Sequence, residues 1–126
     1  MDQASAPRVL LGNLDPIMVI GMARVLGEAG AEVIGREAHP AQIVAQSREL
    51  RPDVVVLDFD DSSSRTLAER VRQVSPETKV VLWARDEAVM EVLDPWSSTA
   101  RLVAVAVPEG LRREMSSSRH GQRVEE

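Results

Sequence analysis

An α/β fold on a parallel sheet is predicted by three features of the sequence. Short apolar segments alternate with helical segments about ten residues long, the rhythm of right-handed βαβ units. One segment, Val54-Val55-Val56-Leu57, is apolar without alternation, as a strand buried on both faces must be. It stops on Asp58, at the carboxyl end of the strand, and in open α/β sheets that edge borders the ligand crevice. Asp58 is thus either a functional carboxylate or a capping residue behind a core strand.

The elements follow in order. Arg8 to Leu11, after Pro7, reads as the first strand. Asp15 is placed to cap a helix that has Pro16 in its first turn and runs to about Ala29, before Gly30. Ala31 to Ile34 reads as a second strand and Pro40 to Leu50 as a second helix, closed by Pro52. The third strand ends at Asp58. Asp60 to Ser64 is a loop of capping side chains, with Thr66 and Glu69 spaced as a capping box. Asp60 and Asp61 read as caps, the alternative being a weak divalent site shared with Asp58 and Asn13. Leu67, Val71 and Val74 give the next helix its buried stripe. Lys79 to Trp83 is the fourth strand, Asp86 to Leu93 a short helix broken by Pro95, and Leu102 to Val107 the fifth strand. One domain over residues 7–115 is expected, with 116–126 a disordered polar tail.

Composition excludes several functions. At 126 residues and 44% hydrophobic content, the chain can bury one ordinary core. No run nears the ~20 apolar residues of a membrane span, and Met1 to Pro7 lacks the pattern of a secretory signal. A cytoplasmic location is therefore expected. The absence of cysteine excludes disulfides and thiolate chemistry. A net charge of −5 argues against a duplex-DNA partner. No phosphate-cradling glycine motif exists, and His39 and His120 have no partners at triad or metal-ligand spacing. No enzymatic activity is expected.

The stretch Leu50-Arg51-Pro52-Asp53-Val54-Val55-Val56-Leu57-Asp58, with Thr78-Lys79-Val80-Val81-Leu82 and Leu10 to Pro16, resembles the receiver domain of bacterial two-component response regulators. The resemblance implies a flavodoxin-like doubly wound (βα)5 parallel sheet of strand order 2-1-3-4-5, with Asp58 at the phosphoacceptor position of a phosphorelay. It also exposes departures. The acidic pair that holds Mg²⁺ in the family falls at Asn13 and Leu14, the phosphate-binding hydroxyl at Ala84, and the lysine at Val107, or at Ala106 if the register slips by one. Magnesium requires hard oxygen ligands in near-octahedral array, so neither it nor another cofactor is expected. Losing an ammonium partner about 4 Å away forfeits on the order of 4 kcal/mol at an effective dielectric near 20.

These departures point to an atypical, stand-alone pseudo-receiver in signal transduction, acting by protein contact and independently of phosphorylation. A conventional phosphoacceptor using Asp58 is one alternative. A small-ligand sensor is another, in a crevice made more apolar by Leu14, Ala84 and Val107. Val107-Pro108 resembles the family's lysine-proline step and implies a cis peptide bond there. The first helix is apolar almost all round. With Met18, Met22, Val25 and Leu26 on the sheet, Val19, Ile20 and Ala23 are expected to face outward as an interface for a homodimer or a protein partner. Trp96, and Leu111 at the start of the implied fifth helix, are the candidate second anchors.

Overall fold

The computed structural model describes residues 6–84, 89–97 and 99–104. Among these residues the chain forms three helices and one six-stranded sheet: β1 (Arg8–Leu11), α1 (Pro16–Glu28), β2 (Glu32–Arg36), α2 (Pro40–Leu50), β3 (Val54–Asp58), α3 (Ser64–Val74), β4 (Lys79–Trp83), β5 (Val89–Leu93) and β6 (Ala100–Ala104). The strand order is β2-β1-β3-β4-β5-β6. The first four spatial neighbours run parallel, as expected. No described helix is long and apolar enough to cross a membrane.

The last two strands depart from the expected order. Within the span expected as a helix, Val89 to Leu93 is a strand antiparallel to β4, and β6 returns antiparallel to β5, while residues 86–88 lie outside the described residues. Among the described residues β5 and β6 therefore form an antiparallel hairpin beside β4, where a parallel strand was expected. Met90 and Val92 are fully buried with the apolar neighbours of β4, whereas Glu91 lies between them on the opposite face. That is a period of two, and Val92 adds the stiff χ1 that favours a pleated surface. Reading the same residues at helical spacing misses the alternation. Of the expected fifth strand, Leu102 to Ala104 lies in β6, and residues 105–107 lie outside the described residues. Val107, Pro108, Leu111 and the 116–126 tail lie outside the described residues.

Each central strand feeds two cores. Val9, Leu11, Val54, Val56, Val81 and Trp83 point to the α1 side and meet Leu14, Met22 and Leu26. Leu10, Val55, Leu57, Val80 and Leu82 point the other way, onto Ile43 and Val44 of α2 and Leu67, Ala68 and Val71 of α3. Every apolar residue of β1, β3 and β4 is therefore buried, which is why their sequences do not alternate. Asp15 caps α1 by accepting from Met18 N–H at 2.9 Å. The capping-box expectation at Thr66 and Glu69 fails because α3 already begins at Ser64. Asp61 holds that end instead, accepting from Ser63 N–H at 2.9 Å and from the Ser63 hydroxyl at 2.7 Å. β2 starts one residue later and ends two later than expected, at Glu32–Arg36.

Gly12 links the core to the crevice. Its N–H donates to Val56 O at 2.8 Å. A Cβ there would lie 2.5 Å from Leu57 Cδ2 and 3.2 Å from Val56 O. Gly12→Ala is expected to cost about 1–2 kcal/mol, within the usual range for overpacking, because the Leu57 and Ile43 methyl groups must both give way while Val56 O cannot. Urea denaturation checks this; a variant as stable as the wild type would mean that the β1 end is not tightly seated on β3.

Candidate functional site

The carboxyl ends of β1 and β3 meet at a crevice bridged by one side chain. Asn13 follows β1. Its Oδ1 accepts from Asp58 N–H at 3.1 Å. Its Nδ2 donates to Asp61 Oδ2 at 3.1 Å and to Ser64 Oγ at 3.0 Å. The polarity is fixed by the partners, since a backbone N–H can only donate and a carboxylate only accept. One neutral amide thus ties β1 to the end of β3 and to the start of α3. Asp58 is half-buried, and its Oδ1 accepts from Asp60 N–H at 2.9 Å.

The electrostatics of this edge centre on Asp61. The Ser63 N–H, then the Ser63 hydroxyl, then the Asn13 amide hold its carboxyl below the usual carboxylate range. Asp61 is therefore already engaged by donors, while no loop side chain caps the first-turn N–H groups of α3. Among the described residues no three His, Asp or Glu side chains are grouped so that they could hold a metal ion. Leu14 is buried in the α1-side core, and Ala84, directly after β4, is buried as well. Neither offers a ligand oxygen or a hydroxyl to the crevice.

The surface expectations are partly corrected. Val19 and Ala23 do not face outward: both are half-buried and pack on the α1-side core. They sit 100° from Met18 and Met22 on the helical wheel, and the sheet reaches that flank. The exposed apolar residues of α1 are Ile20, as expected, and Ile17, which was not singled out. Trp96 is 74% exposed, in the turn after β5.

Two charge clusters were not legible beforehand. Glu91, nearly buried on β5, pairs with Arg65 of α3 (Nη1 to Oε2, 2.9 Å), and the Arg65 guanidinium lies 5.7 Å from the centre of the Phe59 ring. Asp94, just past β5, accepts from Arg101 at 2.5 and 2.9 Å and lies 3.7 Å from Nζ of the buried Lys79. A glutamate inside an apolar strand was the available signal for the first. The second depends on the β5–β6 hairpin and needed that pairing to be seen.

No family model matches the chain, and no curated protein matches it. Among solved structures it is similar to the anti-anti-sigma factor PhyR of Bartonella quintana, determined in complex with the anti-sigma factor NepR. The TM-score is 0.56 at 14% identity, over 93% of this chain and 48% of that one. The chain thus spans about half the length of that neighbour. Likeness at this identity is likeness of fold alone.

Proposed function

We propose that this chain is a receiver-like signalling module that works by protein contact, without phosphoryl transfer through Asp58. The observation that carries the reading is the Asn13 bridge. A phosphoryl group and its Mg²⁺ need clustered carboxylates and a cation at the crevice. Here the corresponding position holds an amide whose N–H groups are aimed at Asp61 and Ser64. Donors in that place repel a metal and occupy the carboxylate that could have taken it. Leu14 and Ala84 are spent on packing. The fold neighbour, seen in complex with an anti-sigma factor, supports action through a protein partner. On this reading the chain is a binding module and not a catalyst.

Incubation with acetyl phosphate and Mg²⁺, followed by intact mass, tests the reading. The expected result is no adduct on the wild type under conditions that fully label a conventional receiver. A stoichiometric phosphoryl adduct, lost in Asp58→Asn, would overturn it and restore the phosphoacceptor alternative.

A further inference from the structure

We infer that the groove between α3 and the turn after β5 is the docking site for a partner segment that carries a carboxylate beside an aliphatic side chain. The inference rests on the protein-contact reading above and adds the place and the chemistry. The groove, about 370 Å³, is lined by Glu69, Arg72, Gln73, Pro76, Trp96 and Ser97. Three of these, Glu69, Arg72 and Gln73, share one face of α3 at helical spacing. The groove lies beside the α3–β4 connection, at the opposite end of the sheet from Asp58.

Two features of the groove are not explained by folding. The first is Trp96. Ser97 N–H donates to Asp94 O at 3.1 Å, closing a turn with Pro95 second and Trp96 third at φ +65°. That third position, with Pro before it, favours glycine or asparagine, and a bulky side chain there is strained. Yet Trp96 is 74% exposed, so the fold gains little apolar burial from it. A strained, exposed tryptophan beside a groove is a binding anchor in form.

The second is Arg72. Its Nε is withdrawn from solvent and has no hydrogen-bond partner. Among the described residues it forms no ion pair, not even with Glu69 one turn away. Arg72 is half-buried on the groove wall, and a carboxylate is the partner that pairs best with a guanidinium not held by any described acid. Glu69 is exposed on the rim. The occupant is therefore acidic where it meets Arg72 and apolar where it lies on Trp96.

A phage-displayed random peptide library panned on the full chain tests this, with clones re-assayed on Arg72→Gln and Trp96→Gly. Glycine suits the backbone at position 96, so that variant is expected to fold at least as well as the wild type. The expected result is enrichment of Asp or Glu next to Leu, Ile or Val. Synthetic peptides of those sequences should bind at least tenfold more weakly to each variant, with quenching or shift of Trp96 fluorescence on the wild type. Enriched peptides that bind both variants equally would overturn the groove and leave the protein-contact reading standing. No enrichment would overturn the peptide occupant. Self-association of the wild type that is lost in Trp96→Gly would assign the groove to a second copy instead.

Discussion

Asp94→Ala is expected to destabilise the protein by about 2–4 kcal/mol. The Asp94 carboxylate stands between two cations, accepting from Arg101 at 2.5 and 2.9 Å and lying 3.7 Å from Lys79 Nζ. The Lys79 side chain is 1% exposed. Removing one member of a buried pair typically costs about 3–5 kcal/mol, because the other charge stays out of water. The lower range applies here because Asp94 is about one-third exposed and both cations keep further interactions. Asp94 also joins β4, through Lys79, to the β5–β6 hairpin, so its loss should loosen the hairpin first. Urea denaturation followed by backbone amide exchange checks both the magnitude and the place.

The pH dependence has a definite sign. Arg101, through its hydrogen bonds and its charge, and then Lys79, hold the Asp94 carboxyl below the usual carboxylate range. A carboxyl whose folded pKa is depressed contributes stability above its unfolded pKa, near 4, and loses it as pH falls through the folded value. Wild-type stability should therefore drop below about pH 4. Asp94→Asn should be less stable at neutral pH and show a shallower acid limb. An unchanged acid limb in Asp94→Asn would mean that the carboxylate does not act through its charge.

Asn13→Asp is the second large effect, expected at about 2–3 kcal/mol. The substitution removes both amide donors, one of them to the Asp61 carboxylate at 3.1 Å and the other to Ser64 Oγ at 3.0 Å. Hydrogen bonds to charged groups contribute about 1.5–3 kcal/mol, with less at an exposed site. The new carboxylate would also face Asp61, and like charges at that distance raise the pKa of one of them. If the amide stands where a cation would otherwise be needed, millimolar MgCl₂ should restore part of the lost stability in the variant and leave the wild type unchanged. Thermal denaturation with and without Mg²⁺ measures this. An Asn13→Asp variant as stable as the wild type, with no response to Mg²⁺, would show that the bridge does not hold the crevice.

Legibility in the sequence follows how local each signal is. β1, α1, α2, β3 and β4 were readable because capping residues, prolines and unbroken apolar runs act within a few residues. Asp15 before Pro16 and the Val54-to-Asp58 run are of this kind. The β5–β6 hairpin was missed because Val89 to Leu93 is short, and a short apolar segment satisfies helical spacing as readily as period two. Its pairing with β4 is a tertiary outcome. In the crevice, the residue positions Asn13, Leu14, Asp58 and Ala84 were named from the chain, but the bridging hydrogen bonds were not. An asparagine amide can serve several partners, and only the packing of α3 against β1 and β3 selects Asp61 and Ser64. On α1, the inward line through Met22 and Leu26 was legible, whereas Val19 and Ala23 depended on how far the sheet extends beneath the helix.

The central claim is that a neutral side chain closes the crevice where a receiver would hold its metal and phosphoryl group. Backbone amide NMR of the wild type during addition of Mg²⁺ and then beryllofluoride tests it most directly. The expected result is that the amides of Asn13, Asp58, Phe59 and Asp61 do not move. Saturable shifts at those amides, absent in Asp58→Asn, would contradict the claim.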